Sequence, residues 1–367
     1  MTTATWLLSA LAAFLVVVTL LPLHKHPVWW VRLWDFPRLQ LALLSLLGLL
    51  ASQLLLPAGP VCIGLAMCFG LTLAYQSWWI LPYTPLFKKE AHDAPAPTPG
   101  APRPHLKVMA CNVLTPNRQA PRLLALIERY QPDVLVLLES DLWWQQQMQP
   151  IEAAYPHRVA VPLDNLYGMH VYSRLPLSHT EVSYLVEHDV PSIHASVHVT
   201  PELIVRMHFL HPAPPSPIEN EESTERDVEL LMVAKSLQDE TTPVIVTGDL
   251  NDVAWSPTTR LFRKISGLLD PRVGRGMFNS FHAKYLFARW PLDHFFHSDH
   301  FQVVRIERLP SMGSDHFPVF LELQYHPAND EAQEGLQADA EDHQQADEKL
   351  AEEGTDPDDV PEPLAKG

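Results

Sequence analysis

Three apolar runs near the amino terminus constrain this chain more than any other feature. No ionisable side chain occurs from Met1 to Leu23, and Trp6 to Leu21 is almost wholly apolar. Leu39 to Leu56 and Val61 to Leu81 carry no charge either. Each run approaches the ~20 residues a bilayer-spanning helix needs. A soluble all-helical core would not use three such runs without internal charge. A cleaved signal peptide fits poorly, because no Lys or Arg precedes the first run and no small-residue cleavage site comes after it. Only Pro57-Ala58-Gly59-Pro60 separates the last two runs, which predicts a tight helical hairpin. Trp29, Trp30 and Trp34 precede the second run, while Trp78, Trp79 and Tyr83 close the third, as interfacial aromatics do. The reading is a membrane segment over residues 1–85, with spans at about 5–22, 39–57 and 61–81.

Three spans place the first loop and everything after Leu81 on one side. That side holds Lys25, Arg32, Arg38, Lys88 and Lys89, and the opposite side has no Lys or Arg, so the positive-inside rule leans toward a cytoplasmic C-terminal domain.

Beyond the spans, residues 86–104 form a Pro/Ala-rich segment expected to be an extended, semi-rigid linker holding the rest of the chain at a distance from the bilayer. Residues 105–326 alternate short apolar runs with helical patterns. Leu106 to Ala110, Val134 to Leu138, Ile204 to Leu210, Val244 to Thr247 and Val319 to Leu323 read as strands, and Arg122 to Tyr130 and Thr224 to Leu237 as helices. The class is α/β, large enough to bury its own core. Residues 327–367 hold 14 acids against two lysines, most of the formal charge of −17, and are expected to be a disordered tail. The remainder is only slightly acidic, which disfavours a protein that grips nucleic acid by neutralising phosphates. Three cysteines, two of them in apolar stretches, exclude a disulfide framework.

Polar residues recur just past the strand-like runs, where sheets expose catalytic groups: Asn112, Glu139, His211, Asp249 with Asn251, Asp293, and Asp315 with His316. Singly, each reads as a cap or a solvated turn. Their order and wording are more specific. Gly248-Asp249-Leu250-Asn251 and Gly313-Ser314-Asp315-His316-Phe317-Pro318 resemble the Gly-Asp-x-Asn and Ser-Asp-His-x-Pro motifs of the endonuclease/exonuclease/phosphatase superfamily. An Asn after the first strand, a Glu after the second, a His before a proline-bearing loop, an Asp before apolar residues, and the Ser173-Arg174-Leu175-Pro176 turn fit the same pattern.

The resemblance covers about Leu106 to Tyr325 and implies a four-layer α/β/β/α sandwich preceded by three transmembrane helices. It implies a metal-dependent phosphoric ester hydrolase using Mg²⁺ or Mn²⁺. Asn112, Glu139 and Asp315 would serve the metal; Asp249 would orient or deprotonate water; Asn251 and His316 would contact phosphate; Asp293 would fix His316; and His211 would assist the leaving group or hold the phosphate. A hard, oxygen-rich donor set without Cys suits these ions. Anchoring points to a substrate that is lipid-linked or near the membrane. A tethered nuclease is the alternative, not favoured by charge. A non-catalytic module of the same fold is a further alternative, against which the intact motifs argue. A membrane-anchored bacterial subgroup that looks similar is thought to carry its catalytic domain outside the cytoplasmic membrane, against the Lys/Arg count, so the side stays open. No protein partner is implied by the sequence.

Overall fold

The computed structural model describes residues 2–96, 103–238, 240–326 and 333–361. Helices α1 (Thr3–Leu20), α3 (Arg38–Leu55) and α4 (Pro60–Ile80) form an antiparallel bundle, with the short α2 (Trp29–Arg32) in the first loop. All three long helices are long and apolar enough to cross a membrane. Leu15, Val18, Leu41, Leu65 and Phe69 pack along the bundle axis. A side chain on Gly48 would collide with the Phe69 ring, which explains the small residue there.

The remaining elements are β1 (His105–Asn112), α5 (Ala120–Tyr130), β2 (Val134–Leu138), α6 (Leu142–Gln147), β3 (His157–Val161), β4 (Met169–Ser173), β5 (Leu177–Ser183), β6 (Ser192–His198), β7 (Ile204–Leu210), α7 (Thr224–Ser236), β8 (Val244–Asp249), α8 (Pro257–Ser266), β9 (Asp293–His297), β10 (Phe301–Arg308), β11 (Val319–Tyr325) and α9 (Ala340–Glu353). One sheet runs β10-β11-β1-β2-β4-β3 and the other β5-β6-β7-β8-β9. Among the described strands, only β1/β2 and β7/β8 pair in parallel, joined through α5 and α7 respectively. Alternate residues explain the layers. Val108, Ala110, Val134 and Val136 meet Ile193, Val205, Met207 and Ile245 between the sheets. Met109, Cys111, Leu135 and Leu137 face Leu123 and Ile127 of α5, while Val244 and Val246 face α7 and α8. The central strands β2, β4, β6, β7 and β8 are buried on both faces, whereas β3, β5 and the end of β10 are partly exposed. The result is the four-layer α/β/β/α sandwich.

Two expectations are corrected. The segment after α4 does not hold the domain at a distance: through Asp93 and Ala94 it lies against the other elements. Val303 N–H donates to the His92 carbonyl at 2.8 Å, and Ala94 N–H donates back to Val303 at 2.9 Å. Glu90 pairs with buried Arg263, and Arg275 reaches both the Ala91 carbonyl and Asp93. Residues 97–102 lie outside the described residues. The α/β domain consequently rests directly on the helix ends. Trp255 Nε1–H donates to the Asp35 carbonyl, Tyr83 hydroxyl donates to the Ala254 carbonyl, and Gly274 N–H donates to the Pro82 carbonyl. Gly274 (φ +72°) has its Cα where any Cβ would meet the Lys89 backbone at 2.6 Å.

The acidic tail is the second correction. Residues 327–332 and 362–367 lie outside the described residues, but α9 is a formed helix. Asp339 and Asp342 make a capping box at its start, and Gly354 (φ +67°) ends it. Ala346 and Leu350, one turn apart on one face, are buried against α7 and α8 together with Val360. Lys264 pairs with Asp342 and Lys235 with Asp347, so acids of the helix meet cations of the domain, while Lys349 of the helix pairs with Asp227 of α7.

Candidate active site

The two parallel pairs end at one place, between the sheets. Asn112 closes β1, Glu139 comes directly after β2, His211 directly after β7, and Asp249 closes β8. Carboxyl ends of parallel strands leave their last polar groups without in-sheet partners, which makes them available to a ligand. Asn112, fully buried, ties the sheets together: its Nδ2 donates to Glu139 Oε1 at 2.7 Å and to Asp249 Oδ2 at 3.0 Å. Its Oδ1 accepts from the Leu114 N–H at 3.1 Å, so Asn112 positions the two carboxylates instead of offering them a third oxygen.

Local backbone explains the motif spelling. Gly248 has φ +152°, and a Cβ there would lie 1.8 Å from the Leu210 carbonyl oxygen, so only glycine lets β8 approach β7. Glu139 and Asn251 adopt left-handed φ values of +54° and +50°. Such conformations cost ~1 kcal/mol or more in a non-glycine residue and collect at functional sites. Asn251 is held by its own N–H to Asp249 Oδ1 and by its side-chain amide to the Pro212 carbonyl, both at 3.0 Å.

The β9 start and the 313–318 segment complete the cluster. His316 Nδ1–H donates to Asp293 Oδ2 at 2.8 Å, and Nε2 lies 3.4 Å from Asp249 Oδ2. His211 Nε2 sits 4.0 Å from the same oxygen. Burial alone would lower the His316 pKa, but the carboxylates of Asp249 and Asp293 outweigh it and hold the imidazole up at about 10. Asp249, Asp293 and His316 lie close enough together to hold a metal ion, and the imidazole joins the two carboxylates. Burial works against ionised Asp249 too, yet His316, His211 and the Asn112 amide together keep its carboxyl below the usual range. His211 goes the other way: burial takes it down to about 4, so it is neutral at pH 7.

Glu139 differs from all of these. Burial raises its pKa to about 7, and its Oε2 is buried with no hydrogen-bond partner among the described residues. An orphaned carboxylate oxygen beside other carboxylates is the donor a hard divalent cation would satisfy. Asp315, half-buried, accepts a hydrogen bond from Ser314 Oγ at 3.3 Å and acts on both Glu139 and His316 as a negative charge.

All eight sequence-derived residues therefore stand in or at the rim of one cluster. The Ser173-x-x-Pro176 turn does not: Ser173 Oγ closes a local turn with Leu175. Sequence reasoning missed three contributors. Ser280 Oγ accepts the N–H groups of Leu292 and Asp293 and so sets the Asp293 backbone. Phe281 lays its ring 4.9 Å from His316. Arg226 Nη1 donates to the Asn251 carbonyl at 2.8 Å. A lone Ser outside a motif gives no signal, and Phe281 reads in the sequence only as one of several neighbouring aromatics that could form an apolar rim. Arg226 gives a faint one, a cation within the mostly apolar face of α7.

The model of the Endonuclease/Exonuclease/phosphatase family matches residues 109–316. Among solved structures, the fold is similar to an endonuclease/exonuclease/phosphatase from Beutenbergia cavernae, at 21% identity and TM-score 0.50 over 63% of this chain and 74% of that one. It is similar to D. rerio TDP2 complexed with single strand DNA product, at 15% identity and TM-score 0.50 over 60% of this chain and 99% of that one. The human Nocturnin catalytic domain with bound sulfate anion is similar as well, at 17% identity and TM-score 0.50 over 61% and 96% of the two chains. At such identities the likeness concerns the fold alone. No curated protein matches the chain.

Proposed function

The chain belongs to the endonuclease/exonuclease/phosphatase family, and from that premise we propose that it is a membrane-anchored, divalent-metal-dependent phosphohydrolase acting on a phosphoester that is lipid-linked or presented at the membrane. The observation that carries the reading is the partnerless Glu139 Oε2 inside a cluster where four carboxylates share one protonated imidazole.

Glu139 and Asp315 would hold Mg²⁺ or Mn²⁺, and Asn112 would keep Glu139 in place. Bound there, the ion would neutralise charge on the phosphate. Asp249 is ionised but weakly basic, so it orients the attacking water more than it deprotonates it. Protonated His316, steered by Asp293, presents Nε2 to the phosphate as a fixed positive charge. Neutral His211 lies on the other side of Asp249, able to donate or accept a hydrogen bond at the phosphate. Asn251 completes the rim, its carbonyl braced by Arg226.

Membrane presentation is supported by how the α/β domain sits, with Trp255 and Gly274 bonded to the helix ends and Tyr83, at the end of α4, bonded back to Ala254. The second reading, a tethered nuclease, draws on the D. rerio relative with its single strand DNA product. Weak net charge outside the tail works against it.

The test is an activity panel on the full-length protein in lipid bilayers, with Mg²⁺ or Mn²⁺, comparing polyprenyl phosphates and phospholipids with plasmid DNA. The expected result is hydrolysis of a lipid phosphoester that EDTA abolishes. Metal-dependent plasmid nicking, lost in Asp249→Ala and unmatched on any lipid phosphate, would install the nuclease instead. Full activity after chelation would remove the metal from the reaction.

A further inference from the structure

Residues 281–290 form a hairpin whose base and tip face different surroundings. At the base, Phe281 and Trp290 exchange backbone hydrogen bonds, Phe281 packs on His316, and Ala283 N–H donates to the Asp315 carbonyl at 2.6 Å. At the tip, Lys284 and Tyr285 are exposed, and Leu286 and Phe287 are 77% and 76% exposed. Of the aromatics between 255 and 290, Tyr285 and Phe287 are exposed, whereas Trp255 and Phe262 are core. Adjacent large apolar side chains left in water forgo their burial energy, so a covering surface is to be expected.

The tip is attached to the membrane bundle. Gln40, in the first turn of α3, donates its side-chain N–H to the Phe287 carbonyl at 2.6 Å. Trp290 packs edge-on against Phe36 at 5.7 Å. Three, four and seven residues beyond Gln40 come Leu43, Leu44 and Leu47, which share its helix face and are all exposed. That face is the outward, lipid-contacting side of a span, and it begins one turn from the hairpin tip. Around the end of α4, Trp78, Leu86 and Phe87 are exposed as well, so bare apolar groups recur at the junction of bundle and domain.

We propose that the 281–290 hairpin is a lip immersed in the bilayer, with Leu286 and Phe287 at the boundary of headgroups and acyl chains and Lys284 beside lipid phosphates. A phosphoester on a lipid would then pass from the leaflet along the hairpin to His316 while its chain stays in the membrane. This deepens the proposed phosphohydrolase reading and rests on it. The occupant is lipid because the tip continues the lipid-facing side of α3. Interfacial loops combine apolar insertion with a flanking cation in the same way.

The experiment places a nitroxide on Phe287→Cys, and on Glu202→Cys as a reference, in the full-length protein carrying Cys68→Ser, reconstituted in bilayers of phosphatidylcholine and phosphatidylglycerol. Cys62 and Cys111 are buried and need no change. Glu202 lies in the turn before β7, at the end of the strand opposite His211. The label at 287 should be reached by oxygen and shielded from a water-soluble nickel chelate, while that at 202 shows the reverse. Equal exposure of both labels to the nickel chelate overturns the proposal. As a second readout, Leu286→Asp with Phe287→Asp should slow hydrolysis of a vesicle-embedded phosphoester by about tenfold or more, as lost insertion dictates, and leave bis(p-nitrophenyl) phosphate hydrolysis unchanged. An undiminished rate on vesicles overturns it equally. Label depth is read without turnover, so the lip and the reaction fail independently.

Discussion

Two buried clusters of charge adjoin at the Asn251 carbonyl and are built on opposite terms. In the seam between the helix ends and the domain, every carboxylate faces a cation: Asp35 meets Arg32 and Arg38, Asp227 meets Arg226 and Lys349, and Asp252 meets Arg226. In the catalytic cluster, Glu139, Asp249, Asp293 and Asp315 have, among the described residues, only His316 between them. Three polar atoms there, on Glu139, His211 and Asp293, lack partners. Leaving a buried charge unpaired costs several kcal/mol, and the upward pKa shifts of Glu139 and Asp293 express that cost. The seam is neutralised within the chain; the cluster is where we propose that a metal binds.

The sharpest way to break this contrast is Glu139→Gln. It removes the orphaned carboxylate without changing shape, and turnover should fall by ~10³, about 4 kcal/mol in the barrier, with folding spared. Mg²⁺ should raise the melting temperature of the wild type and not of this variant, as calorimetry in bilayers would show. A variant that stays fully active would place Glu139 among the structural carboxylates. Arg226→Met attacks the other side of the comparison. It strands Asp252 and leaves Asp227 with Lys349 alone, and stability should drop by about 3 kcal/mol. Thermal melting should show the loss, and adding Asp227→Leu should restore much of it. Turnover should fall as well, because Arg226 braces Asn251.

Glu229 sharpens the comparison from a third position. It is buried on α7, its Oε1 has no partner, and burial raises its pKa to about 8. The folded state therefore keeps a proton that the unfolded chain loses near its ordinary value of 4.5. Stability from this group is complete below that value and is lost as pH rises toward 8. Glu229→Gln should flatten the fall, gaining about 2 kcal/mol at alkaline pH in melts run from pH 5 to 9. A pH profile identical to the wild type would mean that Glu229 is ionised in the fold.

The candidate cluster could be read from the sequence because Asn112, Glu139, His211 and Asp249 close or directly follow strands rich in apolar residues. Asn112, Glu139, His211 and Asp249 announce themselves by position, and Gly248 and the Ser-Asp-His wording fix the register. The seam gave no such signal. Its ion pairs join residues that are scattered from Arg32 to Lys349, and charge on a helix normally reads as solvated surface. Helix α9 was hidden by composition, since its docking rests on Ala346, Leu350 and Val360 among many acids. A tail-wide average cannot register three apolar residues at the right spacing. The segment at 92–94 docks through its backbone N–H and carbonyl groups, which every sequence has, so its alanines and prolines read as a spacer.

That backbone pairing also decides how the catalytic domain can be separated from its anchor. β10 is the outermost strand of its sheet, and the amide and carbonyl of Val303 are occupied by residues 92–94. Gln333 covers the Phe301 carbonyl beside them and also accepts from the His92 N–H. A polypeptide begun at residue 105 would leave the Val303 amide and carbonyl open on an outer strand, bulged between Val303 and Arg305, to which a second copy can add its own strand. A cut ahead of Lys88, in a chain that continues past Gln333, keeps these edge groups of β10 paired.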